Sequence, residues 1–160
     1  MRRAAVAIIG ALVLALMISQ PVSAKPALAT GNLENPTSVV VVAPWNAGGN
    51  TFLVKQNEWD WTGDLTGHSI AEVSLIVHST GMISVHEYGT IYDAVWGEST
   101  GSITIVTVGG GDGQDFWLTT HVVSGTGDFE GLDAHGTIHL QYDAEMVPHV
   151  DYTIWLNMEG

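Results

Sequence analysis

From Ser38 onward, apolar residues recur at every second position, and glycine breaks the pattern about once in every dozen residues. A side-chain period of two belongs to the β-strand, whose successive residues point to opposite faces. It leaves no continuous apolar stripe for an amphipathic helix. Eight alternating runs stand out: Ser38 to Ala43, Thr51 to Thr62, Ser69 to His78, Met82 to Trp96, Ser102 to Val108, Phe116 to Ser124, His135 to Tyr142 and Val150 to Met158. Glycine, asparagine, aspartate or proline stands where the chain must reverse, at Asn46-Ala47-Gly48-Gly49-Asn50, Thr80-Gly81, Gly109 to Gln114 and Asp143 to Pro148. The pattern predicts an all-β fold, a single antiparallel up-and-down barrel of about eight strands, with a β-sandwich as the alternative.

The alternation also assigns faces. In the third run Ala71, Val73, Leu75 and Val77 share one side and Glu72, Ser74 and His78 the other, so the first set is expected to face inward. A two-residue turn at Thr80-Gly81 would set His86 opposite Leu75 and Tyr88 opposite Val73. Both would then point inward, followed at period two by Thr90, Tyr92, Ala94 and Trp96. Further along, Ile103, Ile105, Phe116, Leu118, Val122, Gly136, Ile138, Leu140, Tyr142, Tyr152, Ile154, Leu156 and Met158 complete the inner set. Closing the meander removes exposed edges, and about eight strands leave a lumen either filled by side chains or wide enough for one small ligand.

The first 24 residues have the three parts of an export signal: Arg2 and Arg3, an apolar run from Ala4 to Ile18, and Val22-Ser23-Ala24 with small residues at its outer positions. This predicts a signal peptide cleaved after Ala24, with Ala29 as the alternative site, and a secreted or extracytoplasmic protein. The apolar run is shorter than the roughly 20 residues of a spanning helix, and no later run approaches that length, so no integral span is expected after processing. Residues 25–36 carry proline, alanine, glycine and asparagine without a period and read as a flexible leader, which leaves 37–160 as the barrel domain. There is no cysteine, so neither disulfides nor a thiolate zinc site can contribute.

Beyond the signal, only Lys25 and Lys55 stand against 17 acidic residues, and the whole chain carries a formal charge of −13. Binding to phosphate backbones or anionic lipids requires Lys and Arg, so nucleic acid and acidic membrane surfaces are excluded as expected partners. The acidity itself reads as a solvated surface suited to concentrated salt.

Three constellations invite a chemical reading. Gly110 to Leu118 fits one copy of a calcium-binding glycine-rich nonapeptide, with Asp112 and Asp115 as oxygen ligands, but such rolls need successive repeats to build each cage, and a polar hairpin tip is expected instead. His135 and His139 share a strand face about 13 Å apart, too far to hold one ion, so neither a metal nor a cofactor is expected. Glu58, Asp60 and Asp64 beside Trp59 and Trp61 have the residue types of a carbohydrate site, yet Glu58 and Asp60 read as an acidic exterior with the tryptophans packing at the rim. The best candidates for ligand contact are the inward set His86, Tyr88, Tyr92, Trp96, Tyr142 and Tyr152. An apolar lumen with a few converging hydroxyls and one imidazole would orient a small hydrophobic ligand.

The stretch Val122-Val123-Ser124-Gly125-Thr126-Gly127-Asp128-Phe129-Glu130-Gly131-Leu132, followed by Gly136 and an alternating strand, resembles the glycine-rich barrel corner of allene oxide cyclase-like proteins, small uncharacterised bacterial members above all. Gly125, Gly127, Phe129 and Gly131 fill the places of that corner. The resemblance implies the barrel, and a cyclase or isomerase activity only as a second reading, because no catalytic residue of those enzymes maps onto a matching motif. His86 as acid or base and Tyr88 as a donor would serve such a ring closure. The leading expectation is an exported, non-enzymatic barrel that binds a small apolar molecule or serves a surface role. A cell-envelope interaction module, built on an exposed aromatic strip around Trp59 and Trp61, is the third.

Overall fold

The alternating runs become eight strands in the computed structural model, which describes residues 27–157: β1 (Ala27–Ala47), β2 (Asn50–Gly63), β3 (Leu65–Val77), β4 (Ile83–Trp96), β5 (Ser99–Gly111), β6 (Asp115–Gly127), β7 (Asp133–Tyr142) and β8 (Pro148–Asn157). Each pairs antiparallel with its sequence neighbours, and β8 pairs with β1, so the meander closes into a barrel. No helix occurs among the described residues. Met158 and the signal segment lie outside them.

Turn chemistry sets the registers. Between β1 and β2 the two residues Gly48 and Gly49 take φ of 60° and 82°, the positive pair that a two-residue hairpin matching strand twist requires. Between β3 and β4 the turn is one residue longer than the sequence suggests. Gly81 N–H donates to His78 O at 2.9 Å, His78 N–H donates to Met82 O at 2.8 Å, and Gly81 carries the positive φ of 88° typical of a three-residue hairpin loop. Leu75 therefore pairs with Val85 and Val73 with Glu87. Since a one-residue slip turns every side chain to the other face, Val85 and Glu87 point inward and His86 and Tyr88 outward.

A bulge then reverses the slip. Ile91 pairs with Ile103 but Ala94 with Gly101, which leaves one extra residue on β4 around Asp93, at φ 50°. Ala94 and Trp96 consequently return to the inner face as expected. Tyr92, just before the bulge, stays outside.

The expected leader is another correction. From Ala27 it is the first part of β1, and Ala27 to Leu33 pair with Leu156 to Val150 to close the ring. Ala29 is fully buried and Leu33 nearly so. The small, aperiodic residues that read as mobile are those that fit a crowded closure. Gly31, for instance, lies against Thr62 O and the Tyr152 ring, where a Cβ would collide.

The two ends of the barrel differ. At the lower end, where the β2–β3, β4–β5 and β6–β7 connections lie, Trp61, Leu65, Ile91, Ile103, Tyr152 and Leu156 fill the lumen, and Phe129 and Leu132 from the β6–β7 connection seal it. Tyr152 reaches across the lumen, its hydroxyl donating to Leu65 O at 2.8 Å and accepting from Leu65 N–H at 2.9 Å. At the upper end the ring loosens. The β1–β8 ladder stops at Leu33 and Val150; β1 then turns at Asn35 (φ 51°) and Pro36 and continues paired with β2 alone, exposing Val39 to Val42 and Trp45.

Candidate functional site in the upper lumen

Where side chains do not fill the barrel, a cavity of about 100 Å³ remains. Apolar groups make most of its wall: Leu33, Trp59, Val73, Leu75, Val85, Phe116, Leu118, Ile138, Leu140 and Val150. Four polar side chains join them, namely Lys55, Asn57, Glu87 and Tyr142. A mostly apolar wall with a few polar groups is the composition of small-molecule pockets, here in a space smaller than most of them.

Strand alternation explains why they meet. Lys55, Asn57, Trp59 and Trp61 are inward on β2 by period two, and Lys55 pairs with Val73, which pairs with Glu87. Lys55 and Glu87 thus lie on one cross-strand row, two strand spacings or about 10 Å apart at the backbone. The row continues through Thr107 and Thr120, both buried, with Thr107 Oγ donating to Thr120 Oγ at 3.0 Å. A polar belt therefore crosses the waist of an otherwise apolar barrel.

Lys55 is the only lysine or arginine among the described residues, and no carboxylate among them lies within 4.0 Å of its ammonium. Burial pushes the Glu87 carboxyl up to about 7, because ionising it would place a charge against apolar walls. Below the cavity, Trp61 Nε1 is buried without a hydrogen-bond partner among the described residues.

Of the six residues expected to line the lumen, Tyr142 lines this cavity, Tyr152 is buried in the packed lower half, and Trp96 packs against the core. His86, Tyr88 and Tyr92 are on the outer surface; Tyr88 is 54% exposed and Tyr92 48%. The turn length alone put them on the wrong face. The same error hid Glu87, while Lys55 and Asn57 were legible from the parity of Trp59 and Trp61 along β2.

The remaining constellations are divided or occupied. Trp59 and Trp61 are buried inside, so the exposed aromatic strip expected around them does not form, and the carboxylates of Glu58 and Asp60 lie on the opposite face around His68. The hydrogen bonds from His68 and Asn35 hold the Asp60 carboxyl below its ordinary range. Asp112 accepts the N–H groups of Gln114 and Asp115, which lowers its carboxyl and ties it to its own turn. Asp115 meets His139 Nε2 at 2.6 Å, and His139 stacks on Trp117. Asp64 accepts from the Thr30 N–H at the lower end.

Fold and cavity define the class: a small closed antiparallel barrel whose lumen is half core and half pocket. A solved structure shares this architecture. A protein of unknown function from the DUF3224 family of Shewanella oneidensis MR-1 aligns with a TM-score of 0.64 and 19% identity, covering 85% of this chain and 100% of that one. At that identity the likeness concerns the fold alone. No protein-family model and no curated protein matches the chain.

Proposed function

We propose that this protein is an exported barrel that binds a small, mainly apolar molecule in the upper lumen, with the polar end of the ligand beside Lys55 and Glu87. The observation that carries the reading is the cavity itself, an apolar space with its polar groups gathered on one row. Export follows from the N-terminal segment, and cleavage after Ala24 suits the fold better than cleavage after Ala29, because the latter would remove a fully buried strand residue. Native mass spectrometry of protein recovered from its own host tests occupancy. A reproducible added mass released by organic solvent is the expected result, and a clean unliganded mass across several growth conditions would overturn it.

One observation favours an enzymatic second reading, the cyclase or isomerase that the allene oxide cyclase-like resemblance implies. A carboxyl that gains and loses its proton near neutrality faces the same cavity, which suits a general acid or base. Glu87, rather than His86, would carry that role. Turnover of a supplied substrate, lost in Glu87→Gln, would distinguish enzyme from carrier.

A further inference from the structure

We infer that the upper lumen selects an apolar molecule bearing a single negative charge, held with its charged end at Lys55, and that ionisation of Glu87 releases it. The inference rests on the lumen-binding reading and specifies its ligand class and its control. Lys55 is the one cationic side chain of the described residues other than histidine, in a chain with 17 acidic groups, and it points not to the surface, where carboxylates abound, but into an apolar cavity. An ammonium there, with no carboxylate within 4.0 Å among the described residues, lacks the counter-charge that partly buried cations normally have. A ligand anion supplies it.

Glu87 decides whether that anion is tolerated. It is two strands from Lys55 on the same row and lines the same space. With its proton on, it is a neutral donor able to hydrogen-bond the ligand head; with the proton lost to solvent, it repels the head and offers Lys55 a competing partner. The other groups around it do not duplicate this function. The neighbouring strands bring Val73 and Thr107 to its row, and the facing walls bring Leu33, Leu118 and Val150. Besides Glu87 and Lys55, Tyr142 is the only titratable group in the lining. His86 and Tyr88 flank Glu87 in sequence but lie on the outer surface, and the pairs His139–Asp115 and His149–Asp143 belong to the rim. Those rim carboxylates slow an entering anion at low ionic strength, an effect on rate that salt screens.

The test uses three six-carbon probes with one tail and different heads: hexane-1-sulfonate, hexan-1-ol and hexylammonium. Each is titrated calorimetrically at pH 6 and pH 8 into protein expressed from the full sequence. The sulfonate is charged at both values, so only the protein titrates. Expected is a sulfonate affinity at least tenfold above the alcohol at pH 6, falling about tenfold by pH 8, as one proton near neutrality dictates. Glu87→Gln should hold the pH 6 affinity at pH 8, and Lys55→Met should reduce the sulfonate to the level of the alcohol. Equal binding of alcohol and sulfonate, or strongest binding of the ammonium, would leave lumen binding standing and overturn the anion inference. A tenfold loss that persists in Glu87→Gln would assign the pH effect to the rim histidines and overturn the gate. Binding of none of the three would count against the lumen reading itself.

Discussion

At Glu87, burial and ionisation oppose each other, and the balance shows in stability. Its carboxyl moves from 4.5 to about 7 in the fold, so the folded chain keeps a proton that the unfolded chain releases. This contribution is complete below pH 4.5 and is lost as pH rises to about 7. Glutamine has no such proton. The stability of the wild type relative to Glu87→Gln should fall by about 2 kcal/mol across that window, less than the full shift implies because the side chain keeps some solvent contact. Urea unfolding at several pH values measures it, and parallel profiles would refute it. Asp112 and Asp143 act in the opposite sense. Their carboxyls are lowered, Asp143 first by the Val147 N–H and then by His149, so their contribution is present above the ordinary carboxylate range and lost as pH falls. Both proteins share that acid limb, and it cancels in the difference.

Among the elements, connections rather than strands determine which residues meet. The extra residue in the β3–β4 turn and the extra residue at the Asp93 bulge are each a one-step change of register, and together they cancel. Between them, Val85, Glu87, Gly89 and Ile91 face inward; beyond them, Ala94 and Trp96 do. The β6–β7 connection has a different task. Its Phe129 is fully buried as the plug of the lower end, and Gly125 lies so close to it that a Cβ would collide with Phe129 O. The glycine-rich corner visible in the sequence is thus the backbone clearance for a plug. Phe129→Ala should cost about 3–5 kcal/mol, the usual penalty for emptying a well-packed aromatic site. Chemical denaturation reads this directly, and a loss under 1 kcal/mol would mean that the end is sealed by something else.

For the whole molecule, closure is the decisive event. The ring exists only because the first seven described residues pair with β8, so the N-terminal boundary controls the stability of the entire barrel. Protein starting at Lys25 and protein starting at Thr30 differ by residues 25–29, of which Ala27, Leu28 and Ala29 hold three positions of the closing ladder, one of them fully buried. The shorter form should melt about 5 °C lower or more, since each kcal/mol lost from a domain of this size moves Tm by a few degrees. Thermal unfolding of the two purified forms checks it; identical Tm values would show that the first part of β1 contributes little.

Much of this was determined by sequence alone. A period of two, glycine and proline reversals and the absence of a helical stripe specify eight strands in order, and the inner residues from Ile103 to Leu156 follow from alternation without help from anything distant. The exceptions have one physical cause. Alternation is a relative rule, so it must be anchored by a turn whose length local residues leave ambiguous; Thr80-Gly81 allowed two lengths, and packing chose the longer. For that reason His86, Tyr88 and Tyr92 were expected inside, and Glu87 was not. Residues 27–33 show the same limit from another side. Nothing local marks them as a strand, because what makes them one is β8, more than a hundred residues away, offering its free edge. The tertiary structure alone brought Lys55 and Glu87 to one row of one cavity, since they belong to strands that are not paired with each other and face a common space only because the sheet curves into a barrel.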